Sequence, residues 1–154
     1  MTVQDRGVVH RDAILIDTSA VFAILDTESP HHAVAKSFFA SQVGVQWCAV
    51  DVTAHEAFTR VRQESDVRTG KSAFEILRKT PVRKLQFQEA DEQRAWRMLD
   101  DYDDQDLSYH DVLCAALMLR VGLFRVFAFD HDFLLFGFQL EPGVFGPRRK
   151  FREH

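Results

Sequence analysis

Short apolar runs alternate with stretches of helical periodicity along the chain. Ala13 to Asp17 (AILID) reads as a buried strand, and Ser19 to Leu25 as a short helix leaving its carboxyl end. Ser29 and Pro30 open a second helix, because serine caps the first free N–H groups and proline suits the first helical position. Ala33, Phe38 and Phe39 give that helix an apolar face through about Gln42. A strand follows at Gln46 to Val50, and Thr53 is placed to cap a helix running to Glu64. A fourth helix spans Lys71 to Lys79, where Pro81 stops it, and Leu85 to Gln88 is a strand candidate. Glu89 to Leu99 is helical by period, and Ser108 caps the next helix, which ends at Gly122. Phe124 to Phe129 is another apolar strand, and the segment around Phe138 and Leu140 suggests an edge strand. Parallel strands need crossovers of a dozen or more residues, which these helices provide. The expected fold is therefore α/β, a three-layer α/β/α sandwich with a central mostly parallel sheet.

With 154 residues, the chain is long enough to bury a core unaided, so a single domain is expected over 1–154, with an N-terminal extension at 1–12 and a basic tail at 143–154. The longest apolar run, Val112 to Leu119, is far short of the roughly 20 residues that span a bilayer. The stretch from Ala13 to Leu25 lacks the features of a signal peptide, so a cytoplasmic protein is expected. Cys48 and Cys114 stand apart in apolar surroundings and read as buried small hydrophobes. Net charge is −4, yet the charges are segregated. Ala57 to Lys84 holds eight Lys or Arg against three acids, the tail carries Arg148, Arg149, Lys150 and Arg152, and Asp100 to Asp111 holds six aspartates. Positive surface and a concentrated negative site can coexist in such a chain.

In open parallel sheets ligands bind beyond the carboxyl ends of the strands. Asp17 and Asp130 end strands there, while Glu56 and Asp111 lie in the first turns of helices that follow. Each has a local explanation. The two aspartates could be helix caps, and Thr53 to Glu56 and Ser108 to Asp111 both fit a capping box. Four acids on one rim, however, repel each other unless a cation compensates. A carboxylate set without aligned cysteine or histidine suits Mg²⁺, with Mn²⁺ as a substitute, and suits structural zinc poorly. Such a cation can polarise a phosphoryl oxygen and activate water, which points to phosphodiester hydrolysis.

At these residues the chain resembles the PIN-domain family, and within it the VapC-like toxins of bacterial toxin–antitoxin pairs. The resemblance rests on LIDTSAVFAIL at Leu15 to Leu25, VTAHEAFTRVR around Glu56, DDQDLSYHDVLCAALM at Asp103 to Met118, and FAFDHDF followed by Gly137. It implies a PIN-like fold and metal binding by Asp17, Glu56, Asp111 and Asp130, which would be the catalytic acids of a Mg²⁺-dependent endoribonuclease. Thr18 or Ser19 would orient a carboxylate or contact the scissile phosphate, and Asp132, Asp104 and Asp106 are secondary candidates. It further implies an RNA substrate, a homodimer, and neutralisation by a small VapB-like antitoxin. One departure is Ala128, where relatives often carry threonine before Phe-Asp.

Other features carry less. Thr69-Gly70-Lys71-Ser72 looks like the end of a phosphate-binding loop, but Ser65 replaces the earlier glycine and no strand precedes it. His31 and His32 read as surface residues, and His55, His110 and His131 neighbour the acids without a required role. The phenylalanines between Phe124 and Phe151 suit core and dimer packing, and Trp47 and Trp96 read as structural. The basic stretch from Arg60 to Lys84 fits a solvated helix face or contact with an RNA backbone. Two alternatives use the same fold: a non-catalytic RNA-binding or protein-interaction module, and a nuclease that cuts DNA.

Overall fold

The computed structural model describes Val9, residues 12–79 and residues 81–143. Apart from Val9, Asp12 and Gly143, the expected N-terminal extension and basic tail lie outside the described residues, as do Phe145 and Phe151. In chain order the elements are β1 (Ile14–Ile16), α1 (Thr18–Leu25), α2 (His32–Ser41), β2 (Trp47–Val50), α3 (Asp51–Glu64), α4 (Val67–Arg78), β3 (Arg83–Leu85), α5 (Glu89–Asp101), α6 (Tyr109–Val121), β4 (Arg125–Phe127), a 3-10 helix at His131–Phe136, and β5 (Gln139–Glu141). The strands form one sheet in the order β3-β2-β1-β4-β5, and every pairing is parallel.

Alternation along the strands builds the layers. Ile14, Ile16, Trp47, Ala49 and Phe127 pack with Ala20 and Val21 of α1, Ala35 of α2, Ala57 of α3 and Leu77 of α4. Leu15, Cys48, Val50, Val126 and Leu140 join Cys114, Leu117, Met118 and Val121 of α6 on the opposite face. Helix α5 covers α6 through Ala95, which packs with Val112, Leu113 and Ala116. Both faces of the sheet are thus covered, as the three-layer expectation requires. The run Val112 to Met118 is buried throughout because α6 lies between sheet and α5. It ends where Gly122 takes φ +80, a left-handed cap that suits glycine. Among the described residues no helix is long and apolar enough to cross a membrane.

Several boundaries differ from the sequence reading for identifiable reasons. Ser29 Oγ accepts from His31 N (3.1 Å), turning the chain before α2, which starts at His32 rather than at Pro30. Thr53 does not cap α3. The helix begins at Asp51 with no side-chain cap, so Thr53 is buried inside it and Glu56 sits in its second turn. Helix α4 starts early because Asp66 Oδ1 accepts from Thr69 N (2.7 Å), making Asp66 the cap. The segment Thr69 to Ser72 is therefore helix interior, and a Cβ on Gly70 would meet Phe58 O at 3.1 Å, so glycine serves the close α3–α4 crossing. Trp47 belongs to the core, whereas Trp96 is 65% exposed beside Tyr109.

Candidate functional site

Strand β1 is central, with β2 on one side and β4 on the other, so the chain reverses its strand order there. A crevice beyond the carboxyl ends of β1 and β4 follows from this topology. Asp17 enters it directly after β1, and its backbone N–H donates to Phe127 O (3.0 Å) at the end of β4. Extended backbone at Asp17 (φ −90, ψ 157) makes it the cap of α1, where Oδ2 accepts from Ser19 N (3.0 Å) and from Ser19 Oγ (2.5 Å). The same hydroxyl accepts from Phe129 N (3.0 Å), tying α1 to the segment after β4. Asp17 is buried, and burial pushes its carboxyl up to about 6. The bonds from Ser19 oppose that rise, while the negative charges of Asp111 and Asp130 add to it.

Asp130 is the cap of the 3-10 helix, its Oδ1 accepting from Asp132 N (3.0 Å). That local turn gathers the two acids of the Asp-His-Asp run. Asp111 comes from the first turn of α6, where its N–H donates to the capping Ser108 Oγ (3.1 Å). Oxygens of Asp111, Asp130 and Asp132 all lie within 4.8 Å of one another, and the three residues are half-buried. Asp132, a secondary candidate by sequence, thus stands with Asp111 and Asp130, and Asp17 is near enough for its titration to feel both partners.

Glu56 reaches this group through a histidine. His110 Nε2 lies 3.4 Å from Glu56 Oε2 and 2.8 Å from Thr53 Oγ1, and its Nδ1 lies 3.8 Å from Asp111 Oδ1. Burial opposes the imidazolium charge, but Asp111, the Cys114 sulfur and Glu56 outweigh it and raise the pKa to about 11. From sequence this histidine has no required role, because its partner Thr53 is 57 positions away. Its own neighbour Asp111 was the one available signal. On the far side of Glu56, Arg60 Nη1 stands 3.8 Å from Oε1. Asp104 and Asp106 are exposed in the loop before α6 and stand apart from the cluster. Thr18 is buried, and its Oγ1 has no hydrogen-bond partner among the described residues.

Three other histidines of the described residues have structural contacts. His31 stacks on Phe129 (4.5 Å), His32 Nδ1 donates to Ala23 O (2.9 Å), and His55 meets the edge of Phe74 (5.5 Å). Cys48 and Cys114 are free and buried, as their surroundings suggested.

A carboxylate cluster of this kind is an oxygen-only donor set suited to a hard divalent cation. Comparison with known proteins adds to that geometry. The family model described as PIN domain matches residues 14–138. The 23S rRNA-specific endonuclease VapC20 of Mycobacterium tuberculosis is 31% identical over 126 residues, covering 81% of this chain and 95% of that protein. Among solved structures, VapC20 from the same organism, a sarcin-ricin loop cleaving toxin, superposes with a TM-score of 0.74 at 27% identity, covering 81% of this chain and 95% of the other. FitAcB from Neisseria gonorrhoeae superposes at 0.59 with 18% identity, over 87% of this chain and 97% of the other, a likeness of fold.

Proposed function

The chain belongs to the PIN-domain family, and on that premise we propose that it is a metal-dependent endoribonuclease, the toxin of a toxin–antitoxin pair. The observation that carries this reading is the convergence of Asp111, Asp130 and Asp132 oxygens within 4.8 Å beside the buried Asp17. Negative groups held so close in a half-buried crevice fit a divalent cation, whose charge offsets their mutual repulsion. Asp17, Asp111, Asp130 and Asp132 would hold Mg²⁺, or Mn²⁺ in its place, with Glu56 joining through water. When bound, the cation supplies Lewis-acid polarisation of the phosphate and activation of water.

The chain's own residues prepare that site. Ser19 fixes the Asp17 carboxylate through two bonds, and Ser108 sets the first turn of α6 that carries Asp111. Thr18 places a buried hydroxyl, without a hydrogen-bond partner among the described residues, at the N-terminus of α1 next to Asp17. In the reaction water adds to phosphorus and the 3′ oxygen leaves, giving 5′-phosphate and 3′-hydroxyl ends. The relative's specificity makes 23S rRNA the first substrate to examine. A homodimer is part of this reading, as is a small antitoxin whose basic segment would meet the acidic crevice, a pairing favoured by complementary charge.

The test is cleavage of total cellular RNA by purified, partner-free protein with Mg²⁺, Mn²⁺ or EDTA, beside Asp17→Asn. Discrete fragments that require metal and disappear in the variant are expected. A folded, partner-free wild type that leaves 23S rRNA and all other RNA intact would overturn the reading.

A further inference from the structure

An acidic crevice repels the polyanion it is meant to cut, so a nuclease of this design needs a cation close to the acids yet not consumed by them. Most arginines with an ion pair in the described residues are committed. Arg120 holds Asp91 through Nε (2.8 Å) and Nη2 (3.0 Å), with 20% of its side chain exposed. Arg125 Nε bonds Glu141 at 2.9 Å, and Arg78 Nη1 meets Asp51 at 2.7 Å, with side chains 26% and 28% exposed.

Arg60 differs on each count. Its side chain is 53% exposed, and its one ion-pair contact among the described residues, to Glu56 Oε1, is 3.8 Å, beyond hydrogen-bond distance. It is nonetheless held in place: the guanidinium carbon lies 5.4 Å from the Phe22 ring centroid, a cation–π contact with α1. Glu56, one helical turn before it, touches His110, which is the residue next to Asp111. Arg60 therefore stands at the end of a short run of contacts leading to the acid cluster, oriented by an aromatic ring, with its fork of donors open to solvent. Planar guanidinium groups suit phosphate oxygens in pairs.

We infer that Arg60 is a substrate-positioning residue that binds a backbone phosphate of the RNA flanking the cleaved bond. The inference rests on the nuclease reading for the identity of the ligand, but its test does not need turnover. Binding of poly(U) to the full-length protein is measured in EDTA across a range of salt. Arg60→Met keeps an aliphatic stem against Phe22 without the charge. It should weaken binding about tenfold and reduce the salt slope by about 0.7, the value for one phosphate contact on a single strand. Arg60→Lys should restore the slope, which a purely structural role would not do. Phe22→Leu, which removes the ring but not the charge, should weaken binding about threefold and leave the slope unchanged, since one phosphate contact remains. In cleavage the Arg60→Met loss should fall on KM more than on kcat. Unchanged affinity and slope in a folded Arg60→Met, or a wild type that does not bind poly(U), overturns the inference. A slope change in a protein that never cleaves RNA would leave Arg60 standing and remove the nuclease reading instead.

Discussion

At the scale of single residues, the informative group is Asp17, whose burial works against its own charge. Its folded pKa of about 6 exceeds the ordinary 3.8, so between those values the folded state binds more protons than the unfolded one. The Asp17 contribution to the stability of the metal-free protein should therefore fall as pH rises from about 4 to 6, with the penalty complete above 6 and absent below about 4. The shift corresponds to at most about 3 kcal/mol. Asp17→Asn keeps an oxygen to accept from Ser19 and removes the charge. In EDTA at pH 7 it should be the more stable protein by about 1 to 3 kcal/mol in urea unfolding, and the two should converge near pH 4. A variant less stable than wild type at pH 7 would mean that the Ser19 bonds outweigh burial. The same residue that costs stability is the one the nuclease reading places at the metal.

At the scale of elements, helix α5 is joined to α6 by a pair that hydrophobic pattern does not reveal. Asp91 is 1% exposed, accepts from Gln88 N (2.9 Å), and takes two bonds from Arg120 of α6. Asp91→Ala removes both of these bonds and leaves Arg120, 20% exposed, with Gln86 O (3.2 Å) as an acceptor, so it should lose about 2 to 4 kcal/mol. Urea unfolding reads that loss, and calorimetric titration with Mn²⁺ should show metal affinity unchanged, since α5 contributes nothing to the acid cluster. What could be read from sequence follows the same division. Strands with short apolar runs, the Ser108 cap and the Gly122 stop were legible because their causes lie within a few residues. So were Asp17, Asp111 and Asp130, each placed by a strand end or a helix start. The start of α4 was hidden because the cap, Asp66 with Thr69, lies outside its apolar period. Thr53 was misread as a cap because its partner, His110, belongs to another helix. Ser19 bridging Asp17 and Phe129 spans 110 positions, and only the packed sheet brings those groups together.

At the scale of the whole molecule, the fold concentrates negative charge in one crevice of a chain whose net charge is only −4. Packing on both faces of the sheet fixes the ends of β1, β4 and α6, so the acids cannot spread apart to relieve their repulsion. A ligand that binds only the folded state stabilises it by mass action. A divalent cation at 100 times its dissociation constant adds about 2.7 kcal/mol. For a chain of this size that raises Tm by roughly 5 to 10 °C. Thermal unfolding at pH 7.5 with increasing MgCl₂ or MnCl₂ should show such a rise in wild type. Asp130→Asn should lose most of it while keeping a metal-free Tm at or above that of wild type, because one of the crowded charges is gone. The wild-type increment should shrink below pH 6, where protons compete for Asp17. Equal rises in wild type and Asp130→Asn would place the cation away from the Asp111, Asp130 and Asp132 cluster, and with it the basis of the nuclease reading.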